Sequence, residues 1–276
     1  MKKYCNYSFR FFLMVFILNV FASIKVEAQS KDKYYVFQYH QVHPSNESEY
    51  IQLEFDVWKK MHQARINQGV LEGWYFYRVI APAGMRNEYN FVVILVYKDT
   101  DQLGRHFEEY GVDYTQILTA EEIKKALNTP NVRDLVYEEV WRSVDEIMDF
   151  SRGSMFRYQV FNTMRIRSGY TSNDYTGLET RYWKPVHEAR INGGKMRGWG
   201  LYNMIIPGGT ERDYQFATVD YYDRFIQFLD DSSPIISKIH GSRNLDKISK
   251  ETIDTRDLMK TEVRELLDFL VNYNIH

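Results

Sequence analysis

The chain has almost no cysteine. Cys5 is the only one in 276 residues, so no intrachain disulfide can form and stability has to come from a packed core. Charge of one sign is also missing: 35 Lys and Arg against 37 Asp and Glu leave a formal net charge of −2. No basic field exists to attract nucleic acid or an anionic surface, and no nucleic-acid partner is expected. Familiar catalytic signatures are lacking as well. There is no G-x-S-x-G elbow, Walker loop, G-x-G-x-x-G, H-E-x-x-H or C-x-x-C, which leaves hydrolase, nucleotide-binding, zinc-protease and thioredoxin-like readings without support. No metal site is read either. His40 and His43 stand near the end of a first strand, are taken as a loop feature, and are too few to make such a site.

Long apolar runs are absent with one exception. Phe11 to Ile24 is apolar, follows Lys2, Lys3 and Arg10, and precedes the small-residue pattern Val26-Glu27-Ala28. This is the layout of a secretory signal. The run falls short of the roughly 20 residues of a spanning helix, and Cys5 is too early for a lipoprotein cleavage point. The expectation is a signal over residues 1–28, an exported protein (periplasmic or extracellular), and no membrane span after cleavage.

What the sequence has in excess is aromatic residues, 16% of the chain with 22 Tyr, 17 Phe and 5 Trp, which suits aromatic-faced sheets. It also repeats itself. Glu54, Trp58, His62, Ala64-Arg65-Ile66-Asn67, Gly69 and Gly73-Trp74 return as Glu179, Trp183, His187, Ala189-Arg190-Ile191-Asn192, Gly194 and Gly198-Trp199. The offset is 125 throughout, and it also carries Pro82 to Pro207, Tyr89 to Tyr214 and Tyr97 to Tyr222. A period this long means a duplicated domain and not a solenoid. Units over 29–150 and 151–276 are expected.

Within each unit the hydrophobic period switches between 2 and 3.6. Tyr34 to Val42 alternates as a strand. Leu53, Val57, Met61 and Ala64, like Leu178, Tyr182, Val186 and Ala189, follow helical spacing. Gly69 and Gly194 supply left-handed helix ends. Two strands follow, then helical pieces that include a capping box at Thr119-x-x-Glu122, then a last strand over Leu135 to Trp141. The order β-α-β-β-α-β is the ferredoxin-like unit, and the fold class expected is α+β.

Two such units, each with a long first helix and a Gly-Trp strand start, resemble the dimeric α/β-barrel superfamily. The resemblance implies a tandem, single-chain form in which the two units make a pseudo-dimeric α/β barrel, so that the chain is a monomer. It implies a range of activities, among them cofactor-independent monooxygenases, muconolactone isomerase-like enzymes, haem proteins of the chlorite dismutase and dye-decolourising peroxidase kinds, and stress-response proteins without known chemistry. Fold alone does not choose.

Two residue sets could carry chemistry. The first is the helix stripe Glu54, Trp58, His62 and Arg65 with its twin Glu179, Trp183, His187 and Arg190, spaced so that all lie on one side of the helix. The resemblance implies haem as a cofactor, with one of these histidines on the iron. The plain alternative is packing shared by two copies of one unit. The second set is a strand face carrying Tyr214, Asp220 and Tyr222, where the first unit has Tyr89, Leu95 and Tyr97; a mid-strand acid is either paired, solvated or functional. Glu139 and Glu262 in the last strands share that ambiguity. The reading is a barrel that binds a small apolar or aromatic ligand, and the alternative is a small-molecule monooxygenase or haem-dependent oxidoreductase with His62, His187 or Asp220 in the catalytic role.

Overall fold

A computed structural model describes residues 33–84, 87–108, 113–210 and 212–272. The expected secretory signal lies outside the described residues. Eight strands are formed: β1 (Tyr34–Gln41), β2 (Gly73–Ala81), β3 (Phe91–Tyr97), β4 (Asp134–Met148), β5 (Tyr158–Ile166), β6 (Gly198–Ile206), β7 (Phe216–Tyr222) and β8 (Arg256–Val271). The helices are α1 (47–67), α2 (Thr100–Phe107), α3 (Ala120–Leu127), α4 (Thr129–Val132), α5 (172–192), α6 (Ser233–His240) and α7 (Leu245–Thr255). No helix among the described residues is long and apolar enough to cross a membrane.

The expected pair of ferredoxin-like units making a pseudo-dimeric α/β barrel is not what the chain forms. The strands close into one antiparallel barrel in the order β1-β3-β2-β8-β5-β7-β6-β4, with the helices outside it. The physical reason lies in two long strands, each of which pairs with strands of both halves. β4 and β8 have 15 and 16 residues. The first part of β4 pairs with β1 and its last part with β6; β8 pairs first with β5 and then with β2. A strand shared in this way leaves no open edge on either half.

Side-chain alternation sets two kinds of core. Phe37, Tyr39, Tyr77, Trp141, Phe161, Tyr202 and Tyr221 point into the barrel and pack together. Between sheet and helices, Trp74, Phe76, Phe91 and Leu95 pack on one side and Trp199, Leu201, Phe216 and Tyr222 on the other. Covered on both faces, all seven residues of β3 are buried, which is why its sequence reads as a continuous apolar run.

Local signals act as their chemistry requires. Gly69 and Gly194 have φ of +67° and +69°, where a side chain would strain the backbone. They end α1 and α5, with backbone N–H groups donating to the Ile66 and Ile191 carbonyls at 2.9 Å. Thr119 and Glu122 make the capping box of α3. Sequence periodicity does not show that each long helix contains one π-helical turn, Glu54–Trp58 in α1 and Glu179–Trp183 in α5. Such single-turn insertions recur at functional positions, and here each one contains a buried glutamate.

Candidate functional site

The helix stripe lies in two clefts between sheet and helix, outside the barrel. In the first, the His62 ring stacks on Trp74 at 5.7 Å and 22°, and Trp58 lies 6.3 Å beyond it. Arg65 donates from Nη2 to the Tyr97 hydroxyl at 3.1 Å, and that hydroxyl lies 2.8 Å from His106 Nδ1. Burial pushes the Tyr97 pKa up to about 12 and holds the His62 imidazole well below its usual range. Glu54 is 2% exposed, and burial raises its pKa to about 7.

The second cleft has the same frame with an acid added. His187 stacks on Trp199 at 5.4 Å and 14°, and its Nδ1 lies 3.9 Å from Asp220 Oδ1. Asn162 donates to the other Asp220 oxygen at 3.5 Å. Arg190 lies over the Tyr222 ring, 5.6 Å from its centre, and donates to the Gln227 carbonyl at 3.4 Å. Trp183 donates from Nε1 to the Thr252 hydroxyl at 3.2 Å. Burial pushes Asp220 and Glu179 each up to about 7 and His187 down to about 3. Both members of the His187–Asp220 pair are thus driven toward their neutral forms, which fits packing against tryptophan better than ion pairing.

The structure brings together His187, Asp220, Arg190 and Tyr222, and separates them from Tyr214. Tyr214 and Tyr89 precede strands β7 and β3 and turn into the barrel instead, so the strand face expected for Tyr214, Asp220 and Tyr222 does not exist. His40 is also placed differently from the loop expectation. It lies within β1, 1% exposed, with Nδ1 2.5 Å from the Tyr50 hydroxyl.

Haem would need a free coordinating nitrogen beside a space for the macrocycle. Nδ1 of His62 and of His187 has no hydrogen-bond partner, but both rings lie flat against tryptophan, and neither borders the cavities described below. The residues of this packing do not fit a haem ligated by His62 or His187.

The barrel interior holds the open space and the charge. Arg264 is fully buried at its centre, with its guanidinium 4.2 Å from the Phe161 ring centre and donating to Glu262 at 2.6 Å and Gln159 at 3.2 Å. One cavity of about 330 Å³ borders Tyr89, Tyr137, Glu139, Phe161, Tyr214 and Lys260. Another, of about 360 Å³, borders Tyr35, Phe37, Tyr75, Tyr77, Glu146, Phe156, Gln159, Tyr202 and Tyr221. In the latter, Tyr35 donates to Glu146 at 2.5 Å, the Tyr35 ring meets Tyr202 edge-on at 5.0 Å, and the Tyr202 and Tyr221 hydroxyls are 3.3 Å apart. Burial first, and Glu146 second, raise the Tyr35 pKa well above that of a free phenol.

Tyr35, Glu146 and Arg264 carry no signal in the sequence that marks them. The trace Arg264 does leave is its alternation in β8 with Glu262 around buried Val263, which places both charges on one face without saying that this face is a barrel interior.

No protein-family profile matches the chain, and no curated protein matches it in sequence. Solved structures do match. A candidate monooxygenase from Fusobacterium nucleatum superposes with a TM-score of 0.52 at 12% identity, covering 88% of this chain and 95% of that one. A candidate monooxygenase from Lactobacillus acidophilus gives 0.50 at 10% identity, covering 88% and 97%. A haem-binding protein from Thermus thermophilus gives 0.47 at 9% identity, covering 88% and 94%. At such identities the likeness is one of fold.

Proposed function

We propose that the protein binds a small hydroxylated aromatic molecule in the barrel cavity around Tyr35 and Glu146. The observation that carries this reading is the cavity itself. Its wall is made of aromatic rings with a carboxylate and an amide, Glu146 and Gln159, at the buried side, the composition that suits a flat apolar ligand with one or two polar groups. Glu146, already bonded to the Tyr35 hydroxyl, is placed to accept a ligand hydroxyl as well.

A second reading is oxidation of that ligand by dioxygen. It is favoured by the same Tyr35–Glu146 pair, since a carboxylate at a phenol can take its proton and make the ring easier to oxidise. Two proteins of like fold are named as monooxygenases, in keeping with it. The balanced form needs a polycyclic phenol that also carries a benzylic ring CH₂: that CH₂ becomes a carbonyl, one atom of dioxygen enters it, the other leaves as water with the two hydrogens, and no further reductant is needed.

A panel of small phenols and hydroxylated polycyclic aromatics, some of them carrying a benzylic ring CH₂, is expected to raise the melting temperature of the wild type. Glu146→Gln should reduce that shift by more than half, while an oxygen electrode reports whether turnover accompanies binding. No stabilisation by any phenol, or equal stabilisation of Glu146→Gln, would overturn the binding reading; binding without oxygen uptake would overturn the second.

The same proposal includes an exported, single-chain protein. The leader-like features over 1–28 support export, and a barrel whose strands all find partners within one chain supports a monomer. Protein recovered from outside the cytoplasm is expected to begin at Gln29 and to show the mass of one chain in light scattering. A dimer mass, or an intact residue 1–28 segment, would contradict it.

A further inference from the structure

The second barrel cavity, bordered by Glu139, is independent of the reading above and has different chemistry. Glu139 is 4% exposed. Its two oxygens accept from three neutral donors, the Tyr214 hydroxyl at 2.6 Å, the Tyr39 hydroxyl at 2.6 Å and Trp141 Nε1 at 3.1 Å. These fix the carboxylate in place among rings. Tyr214 stacks on Trp141 at 6.1 Å and 8°, and Tyr39 contacts Tyr137 at 4.4 Å and Tyr89 at 4.6 Å.

The nearest barrel cations, Arg264 and Lys260, pair with Glu262 and not with Glu139. Glu262 is bound by both Arg264 at 2.6 Å and Lys260 at 2.8 Å, whereas no ion pair to Glu139 exists among the described residues. The Lys260 ammonium also lies over the Tyr89 ring, 4.7 Å from its centre, so a ring of this same wall already receives a cation. Glu88, Arg212 and Asp213 also border the cavity.

We propose that this cavity is a binding site for a small organic ammonium ion, seated between the Glu139 carboxylate and the faces of Tyr89, Tyr137 and Tyr214. Ring faces attract a desolvated ammonium, and a buried carboxylate without an ion-pair partner gains most from receiving one. Burial raises the pKa of Glu139, in the direction expected for a carboxylate that lacks a close cation. The volume of about 330 Å³ suits a molecule of the size of choline.

Calorimetric titration with choline and with its neutral isostere 3,3-dimethylbutan-1-ol tests this. Choline is expected to bind saturably, and the alcohol about tenfold more weakly or not at all. Glu139→Gln is expected to lower choline affinity about tenfold, and Tyr137→Leu, at the partly buried wall, about fivefold. Should Glu139→Gln fail to fold, Tyr137→Leu with the isostere comparison carries the test. Absence of saturable choline binding, equal affinity for the alcohol, or unchanged affinity in Tyr137→Leu would overturn the proposal. Phenol binding at Tyr35 and Glu146 would be untouched by any of these outcomes.

Discussion

Replacing Arg264 by methionine is expected to cost the protein about 3–5 kcal/mol of stability in urea unfolding, the range for removing one partner of a buried ion pair. Methionine keeps most of the apolar stem, so the loss reports the guanidinium and not a cavity. Glu262, Gln159 and three aromatic rings each lose one partner at once. Glu262, 1% exposed, loses its 2.6 Å donor, Gln159 loses another at 3.2 Å, and the rings of Phe37, Phe161 and Tyr39 lose a cation at 5.5, 4.2 and 5.7 Å. Lys260 remains on Glu262 at 2.8 Å, which places the expectation at the lower end of the range. Adding Glu262→Gln to Arg264→Met should recover at least about 1 kcal/mol, because the double variant no longer buries a carboxylate short of partners. A loss under about 1 kcal/mol for the single variant would show that the centre of the barrel does not depend on this pair.

The second large effect is a pH dependence in the outer clefts. Asp220 has its pKa raised by burial to about 7 in the folded protein, against about 3.9 for a free aspartate. The folded state therefore holds its proton more tightly than the unfolded state does. Stability linked to this group is fully present below the unfolded value near pH 4 and is lost as pH rises through 7. Glu54 and Glu179, each raised to about 7, act in the same direction. His187, lowered to about 3 by burial, acts oppositely: its contribution is present above about pH 6.5 and is lost as pH falls toward 3.

Asp220→Asn removes one carboxylate from this balance while keeping the shape. Relative to wild type it should be near neutral at pH 4, and more stable by about 2–4 kcal/mol at pH 8. Unfolding free energies at pH 4, 6 and 8 check this, and a difference that does not change with pH would remove the raised pKa of Asp220 from the account. Leu95 occupies the matching place in the first cleft, so the aspartate is a departure from an aliphatic solution that the same fold also uses.

Much of the architecture is legible along the chain. The apolar run of β3, the glycines at 69 and 194 and the capping box at Thr119 act through neighbours a few residues away, and the structure contains all of them. The matching helix stripes also take matching conformations, down to π-helical turns over Glu54–Trp58 and Glu179–Trp183. The misreadings share one cause. A period of 2 extended past the start of β7 puts Tyr214 on the face of Asp220, which the structure does not, and the apolar pattern of β4 ends at Trp141 whereas the strand runs on to Met148 to reach β6. Strand ends and strand partners depend on contacts that no short window contains.

Helix and strand type, turn positions and the buried faces of α1 and α5 thus follow from local periodicity and turn chemistry. Closure into one barrel does not, and neither do the interior groups that closure assembles. Tyr89 meets Glu262 across 173 residues, Tyr35 meets Glu146 across 111 and Tyr214 meets Glu139 across 75. The sequence states that these side chains alternate along their strands; only the pairing of β8 with β2 and of β4 with β6 turns those alternating positions inward toward a common space. There, loss of water makes each charge and each aromatic wall count.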